Sequence, residues 1–144
     1  MGKKVKKNKY DVTGENLKRG KKAENLFKEI LKKNGFNPIP SAKQEDINEH
    51  WDFKIEKDGK EYKIDVKSMK KIGRKDKEVQ DKWHWIELHG VRENDKGWLY
   101  GGKADFIAFE TKESFLIVRR KDLIRLVENL VDTEKVVESP YEAK

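Results

Sequence analysis

Cysteine is absent from all 144 residues, so neither a disulfide nor a thiolate metal site is open to this chain, and a reducing compartment is compatible with it. Apolar residues are scarce, at 35% against 42% charged. No apolar run approaches the roughly 18 residues that a membrane-spanning helix needs. The basic start lacks the apolar stretch of a secretory signal peptide. These absences lead us to expect a soluble, cytoplasmic protein with no membrane partner. The apolar residues that are present gather in short periodic segments. That points to one compact domain with polar ends, not to a disordered chain.

The formal net charge is +7, but five of those charges are Lys3, Lys4, Lys6, Lys7 and Lys9, which leaves +2 for the remainder. Residues 1–14 read as a flexible basic arm. A solvated end is the plain reading of such a run, and contact with phosphates is the functional one. The expected domain spans residues 15–131, followed by a polar tail at 132–144.

Within the domain, Leu17, Ala23, Leu26, Phe27, Ile30 and Leu31 fall on one stripe. They predict a helix from about Glu15 to Asn34, stopped by Gly35. Pro38 and Pro40 mark a loop, and residues 41–49 are polar and acidic. Residues 51–56 and 61–67 alternate around Asp58-Gly59, the favoured pair for a tight turn, and predict a β-hairpin. Residues 68–82 have no steady period and read as a basic loop. Trp83–Val91 alternates and predicts a third strand. Residues 104–110 and 115–118 predict two more, and Lys121–Val131 a helix.

The hairpin carries the candidate chemistry. With Asp58-Gly59 at the turn, Asp52 lies directly across from Asp65 and Phe53 from Ile64. One face then holds Asp52, Lys54, Glu56, Glu61, Lys63, Asp65 and Lys67, and the other Trp51, Phe53, Ile55, Tyr62, Ile64 and Val66. Like charges opposite one another are destabilising, so a compensating group is expected. Lysines are one choice; a hard divalent cation such as Mg²⁺ is a stronger one, because it takes carboxylate oxygens as ligands. Lys67, on the same face as Asp65, can orient water or stabilise charge on a phosphate. The pattern acid–any–Lys is weak alone, since it occurs six times here. Only residues 65–67 combine it with a cross-strand acid and an apolar opposite face, and a charged solvent face remains the plain alternative. Glu24 lies on the flank of the helix stripe, close enough to the core to need a partner. The acid pair's cation is one such partner, and Lys28 at an exposed surface is the other.

The order Glu24 on a helix, then Asp52, then Asp65-Val66-Lys67 resembles the PD-(D/E)xK nuclease superfamily. Gly20-Lys21-Lys22-Ala23-Glu24, ahead of a helix that ends at Gly35-Phe36, is similar to the start of many members. The stretches EHWDF (49–53), IDVKS (64–68) and GGKADFIAFE (101–110) are similar to small phage-encoded members. The likeness spans roughly residues 15–130. Trp51 stands where the family often has proline before its first acid.

The resemblance implies an α/β (α+β) fold of restriction-endonuclease type, with a central mixed sheet that contains the hairpin and is flanked by helices. It implies Asp52 and Asp65 as ligands of Mg²⁺ (or Mn²⁺), Lys67 as the catalytic lysine and Glu24 as the helix acid. The activity it implies is hydrolysis of DNA phosphodiesters by an endonuclease. Junction resolution is included, because small members often act on branched DNA, although nothing in the sequence selects branches over duplex. A homodimer with two active sites would suit either task.

Other residues stay open between two readings. Glu87 shares a face with Trp83 and Trp85 and is either a further metal ligand or a partner for Arg92. Glu45, Asp46 and Glu49 either cap a turn or send one carboxylate to the ion, and the structural reading is the preferred one. Lys70, Lys71, Arg74, Lys75, Lys77 and Lys82 make the loop after Lys67 basic, as a DNA backbone contact or simply a solvated loop. Trp83, Trp85 and Trp98 read as core in preference to base-stacking platforms. His50, His84 and His89 fit no metal-ligand spacing. The competing function is a non-catalytic nucleic-acid-binding module, indifferent to Mg²⁺ and sensitive to salt.

Overall fold

The computed structural model describes residues 14–73, 75–88 and 97–130. Most of the basic arm, Arg74, residues 89–96 and the C-terminal tail lie outside them. The elements run α1 (Glu15–Lys33), β1 (Ile39–Pro40), α2 (Lys43–Glu49), β2 (Phe53–Lys57), β3 (Lys60–Lys67), α3 (Gly97–Gly101), β4 (Phe106–Glu110), β5 (Phe115–Arg119) and α4 (Arg120–Leu130).

The five strands form one sheet in sequence order. The hairpin of β2 and β3 has the expected register, with Phe53 opposite Ile64 and Lys57 opposite Lys60. Its turn needs left-handed backbone at both central positions, and Asp58 and Gly59 supply φ values of 53° and 77°. Gly59→Ala is expected to cost about 1 kcal/mol, because a Cβ is disfavoured at positive φ. A thermal melt checks it, with a drop of about 3–5 °C expected for a domain of this size. β4 joins β3 in parallel, which makes the sheet mixed, and places Ile107 beside Asp65 and Phe109 beside Lys67. β5 closes the order antiparallel to β4.

Helices cover both faces. α1 buries Ala23, Phe27 and Leu31 against Phe53, Ile64, Val66 and Ala108. Spaced four residues apart, the three helix residues form one contact line. Leu17 and Leu26, expected on that stripe, are exposed because they lie to its sides. The opposite face packs Ile107 and Phe109 with Trp98 and Leu99 of α3 and Leu123 and Val127 of α4. Arg120 ties this layer together: its Nε donates to the Ala104 carbonyl and one terminal nitrogen donates to the Leu99 carbonyl, both at 2.7 Å. The result is an α+β domain with a mixed sheet flanked by helices, as expected. No helix among the described residues is long and apolar enough to cross a membrane.

Four expectations need correction. Residues 83–88 form no strand; His84, Ile86 and Leu88 turn inward, but their backbone does not join the sheet. Trp83 and Trp85 are not core: they are 63% and 38% exposed. Trp51 does not share the face of Phe53 but packs with Trp98 in the α3–α4 layer. The strand starts only at Phe53, after His50 has taken a left-handed conformation (φ 54°), so alternation does not reach back to Trp51. The segment of Pro38 and Pro40, read as a loop, contains the short edge strand β1, and the acidic stretch after it is the helix α2.

Candidate active site

Asp65 and Lys67 project from the end of β3 toward the α3–α4 layer, while Glu24 comes from α1 on the other face. Asp52 links the two. Its N–H donates to the Ile64 carbonyl at 2.8 Å, and its own Oδ2 accepts the Val66 N–H at 2.7 Å. The side chain thus satisfies a strand amide just where the β2 backbone leaves the ladder. Among the described residues, Asp52 and Asp65 are the two buried acids, 9% and 5% exposed.

A third and a fourth carboxyl join them. Glu24 and Asp46 both lie close enough to the Asp52 carboxyl to act on it. Carboxylates crowded together away from water repel one another, which favours their protonated forms. Burial pushes Asp52 well above the ordinary aspartate range, and Asp65, Glu24 and Asp46 add to it against the Val66 N–H. Glu24 is raised first by burial and then by Asp46 and Asp65, with Lys21 opposing. Asp46, the outermost of the four, is raised by burial of its carboxyl and by Asp65, with Lys67 and His50 opposing.

Lys67 sits among them with 23% of its side chain exposed, its Nζ 3.0 Å from Asp65 Oδ2. Burial disfavours the ammonium, but Asp65, then Asp52 and Glu87, outweigh it and raise the lysine above its usual range. The contact with Asp65 is an ion pair without hydrogen-bond alignment: Oδ2 is buried, and no donor meets it in hydrogen-bonding geometry among the described residues. The ammonium also lies over the Trp98 ring, 4.8 Å from its centroid.

The structure therefore brings Glu24, Asp52, Asp65 and Lys67 together. Glu87 is half-buried and close enough to act on Lys67. Trp98 was missed as a member of this locus, and Asp46 was preferred as structural over its other reading, an acid that reaches the ion. Asp46 belongs to a seven-residue helix that buries none of its own residues, so no periodic signal marks it. Of its acidic neighbours, Glu45 caps α2 by accepting the Ala42 N–H at 3.0 Å. Glu49 accepts from the Trp51 indole at 2.9 Å and pairs with Lys63 at 3.3 Å. Those two are structural, as expected.

The basic loop is more committed than its charge suggests. Gln80 donates to the Lys70 carbonyl and folds the loop back on itself. Lys71 pairs with Glu15 of α1 at 3.6 Å. Lys75 and Lys77 are exposed, and Arg74 lies outside the described residues. A cleft of about 470 Å³ between this loop and the start of α1 is lined by both signs, with Glu15 and Glu78 beside Arg19, Lys71 and Lys77.

Among the described residues, no three His, Cys, Asp or Glu side chains already stand as a metal-holding group. The donor set is nevertheless all oxygen, the choice of Mg²⁺ or Mn²⁺. Its mutual repulsion is what a cation would relieve, and the buried Asp65 Oδ2 has the Lys67 ammonium beside it but no aligned donor among the described residues. On these grounds the residues fit a hard divalent ion. No family model, curated protein or solved structure matches this chain.

Proposed function

We propose that this protein is a divalent-metal-dependent DNA endonuclease with a sheet of the restriction-endonuclease type, working through Asp52, Asp65, Glu24 and Lys67. The observation that carries the reading is the buried pair of acids, Asp52 and Asp65, with the Lys67 ammonium held 3.0 Å from Asp65 Oδ2. Two buried acids beside one lysine are costly for a purely structural role and suit a site that takes a cation. The resemblance of the ordered residues to the PD-(D/E)xK nucleases supports the same roles.

Asp52 and Asp65 would hold Mg²⁺ or Mn²⁺, with Glu24 beside them and Glu87 farther along toward Lys67. Bound there, the ion supplies a Lewis acid and a water acidic enough to attack phosphorus. Asp52 offers one oxygen, because the other is committed to the Val66 N–H. Lys67, kept charged by Asp65, stabilises negative charge that builds on the phosphate oxygens. The exposed Lys75 and Lys77 would contact the DNA backbone without reading sequence.

The test is cleavage of a labelled four-way junction, a linear duplex and a single strand, each with Mg²⁺, with Mn²⁺ and with chelator. Cutting that needs the ion supports the reading, and the order of substrates separates a junction resolvase from a general endonuclease. Salt-sensitive binding without cutting under any of these conditions would replace it with a nucleic-acid-binding module. If the junction or duplex is the substrate, a homodimer is the expected active form, which sedimentation on DNA would read directly.

A further inference from the structure

We propose that Trp98 is a positioning residue for Lys67, fixing the ammonium against its indole face so that the charge stays aimed at Asp65. The proposal rests on the nuclease reading, since it states how that site keeps its lysine directed. Lys67 ends β3, and a lysine there is a compact charge on a flexible four-carbon stem. One ion pair does not fix such a stem. The indole supplies a second attachment: Nζ lies 4.8 Å from the ring centroid while remaining 3.0 Å from Asp65 Oδ2. The negative face of a tryptophan ring attracts a cation electrostatically.

A platform is useful only if it cannot move, and Trp98 is held firmly. It is 4% exposed. Phe109, the β4 neighbour of Lys67, meets its ring edge-on with centroids 6.1 Å apart. Behind it the chain closes tightly, since a Cβ on Gly102 would fall 2.3 Å from the Trp98 carbonyl oxygen. Arg120 fixes the next carbonyl, that of Leu99, at 2.7 Å. A second lysine, Lys63, lies 5.2 Å over Trp51 and pairs with Glu49, away from the buried acids. It provides an internal control of the same chemistry.

The experiment places progressively fluorinated tryptophans at position 98 in the full-length chain, and in parallel at position 51. Fluorination weakens the negative ring face and nearly preserves shape. The expected result at position 98 is a stepwise fall in kcat for Mg²⁺-dependent cleavage, to about a tenth at the most fluorinated ring. KM for DNA and the melting temperature should hold steady, and kcat should stay flat through the series at position 51. A flat kcat at position 98, or an equal fall at both positions, overturns the proposal. Should the unmodified protein cut no substrate, the nuclease reading fails. The positioning claim is then read separately from the Lys67 ε-methylene NMR signals. Ring-current shielding that disappears in Trp98→Leu supports the seat, and unshielded signals in the wild type remove it.

Discussion

Asp65→Asn is expected to lower Mg²⁺-dependent DNA cleavage at least about a hundredfold, the scale on which loss of a well-placed charge or ligand acts in such sites. The substitution keeps the shape of a side chain that is 5% exposed, so packing beside Ile107 is preserved. What it removes is charge. The buried Oδ2 ceases to be an anionic ligand, and Lys67 loses the partner that most strongly supports its ammonium. Binding of DNA at moderate salt should change little, because the lysines proposed to contact phosphates are untouched. Single-turnover cleavage rates measured beside equilibrium binding make the comparison. A variant that cuts at the wild-type rate would remove Asp65 from the active site and end this assignment of its ligands.

Asp52→Asn should do the opposite to stability. In the metal-free protein Asp52 titrates well above an ordinary aspartate, so the folded state holds its proton more tightly than the unfolded chain does. Glu24 and Asp46 act in the same direction. The stability these groups contribute is complete below the ordinary carboxylate range and is lost as pH rises through their raised values. At neutral pH the wild type therefore folds against its own carboxylates. Asparagine removes one charge, and its Oδ1 can still accept the Val66 N–H while its Nδ2 offers a donor to the neighbouring carboxylates. We expect metal-free Asp52→Asn to exceed the wild type by about 1–3 kcal/mol at neutral pH, the usual cost of an ill-compensated buried polar group. That advantage should vanish near pH 4, where the wild type is protonated too. Added Mn²⁺ should raise the wild-type melting temperature and leave the variant nearly unmoved, since an ion stabilises only the fold that binds it. Equal melting curves for the two proteins across this pH range would mean that the cluster is not strained.

Asp58-Gly59 made the hairpin legible, because two consecutive positive φ values admit few residue pairs and fix the register of everything beyond them. That register alone set Asp52 against Asp65. Residues 83–88 show where such reasoning stops. Their alternation is genuine, and the inward residues pack as a strand's would. Alternation records only which side chains are buried, not whether the backbone finds a partner. Trp51 failed for a related reason: one left-handed residue at position 50 rotated it onto the other layer. Trp83 is exposed at the end of a loop that Gln80 closes, holding the Trp83 N–H locally and the Lys70 carbonyl ten residues back, a pairing that no hydrophobic period announces. Asp46 and Trp98 reach the buried acids from elements of seven and five residues, too short for a periodic pattern to assign a face.

The connection between β3 and β4 also sets an order of events in folding. The two acids of the hairpin lie close in sequence, joined by a two-residue turn, and loops so short close early. Lys67 finds its seat only when Phe109 arrives beside it and Trp98 beneath it, after about 40 residues of intervening chain have been placed. A polypeptide emerging during synthesis therefore carries its carboxylate pair well before its lysine is aimed. The chemistry proposed for this protein is armed last, by the half of the domain that supplies no acid to the hairpin.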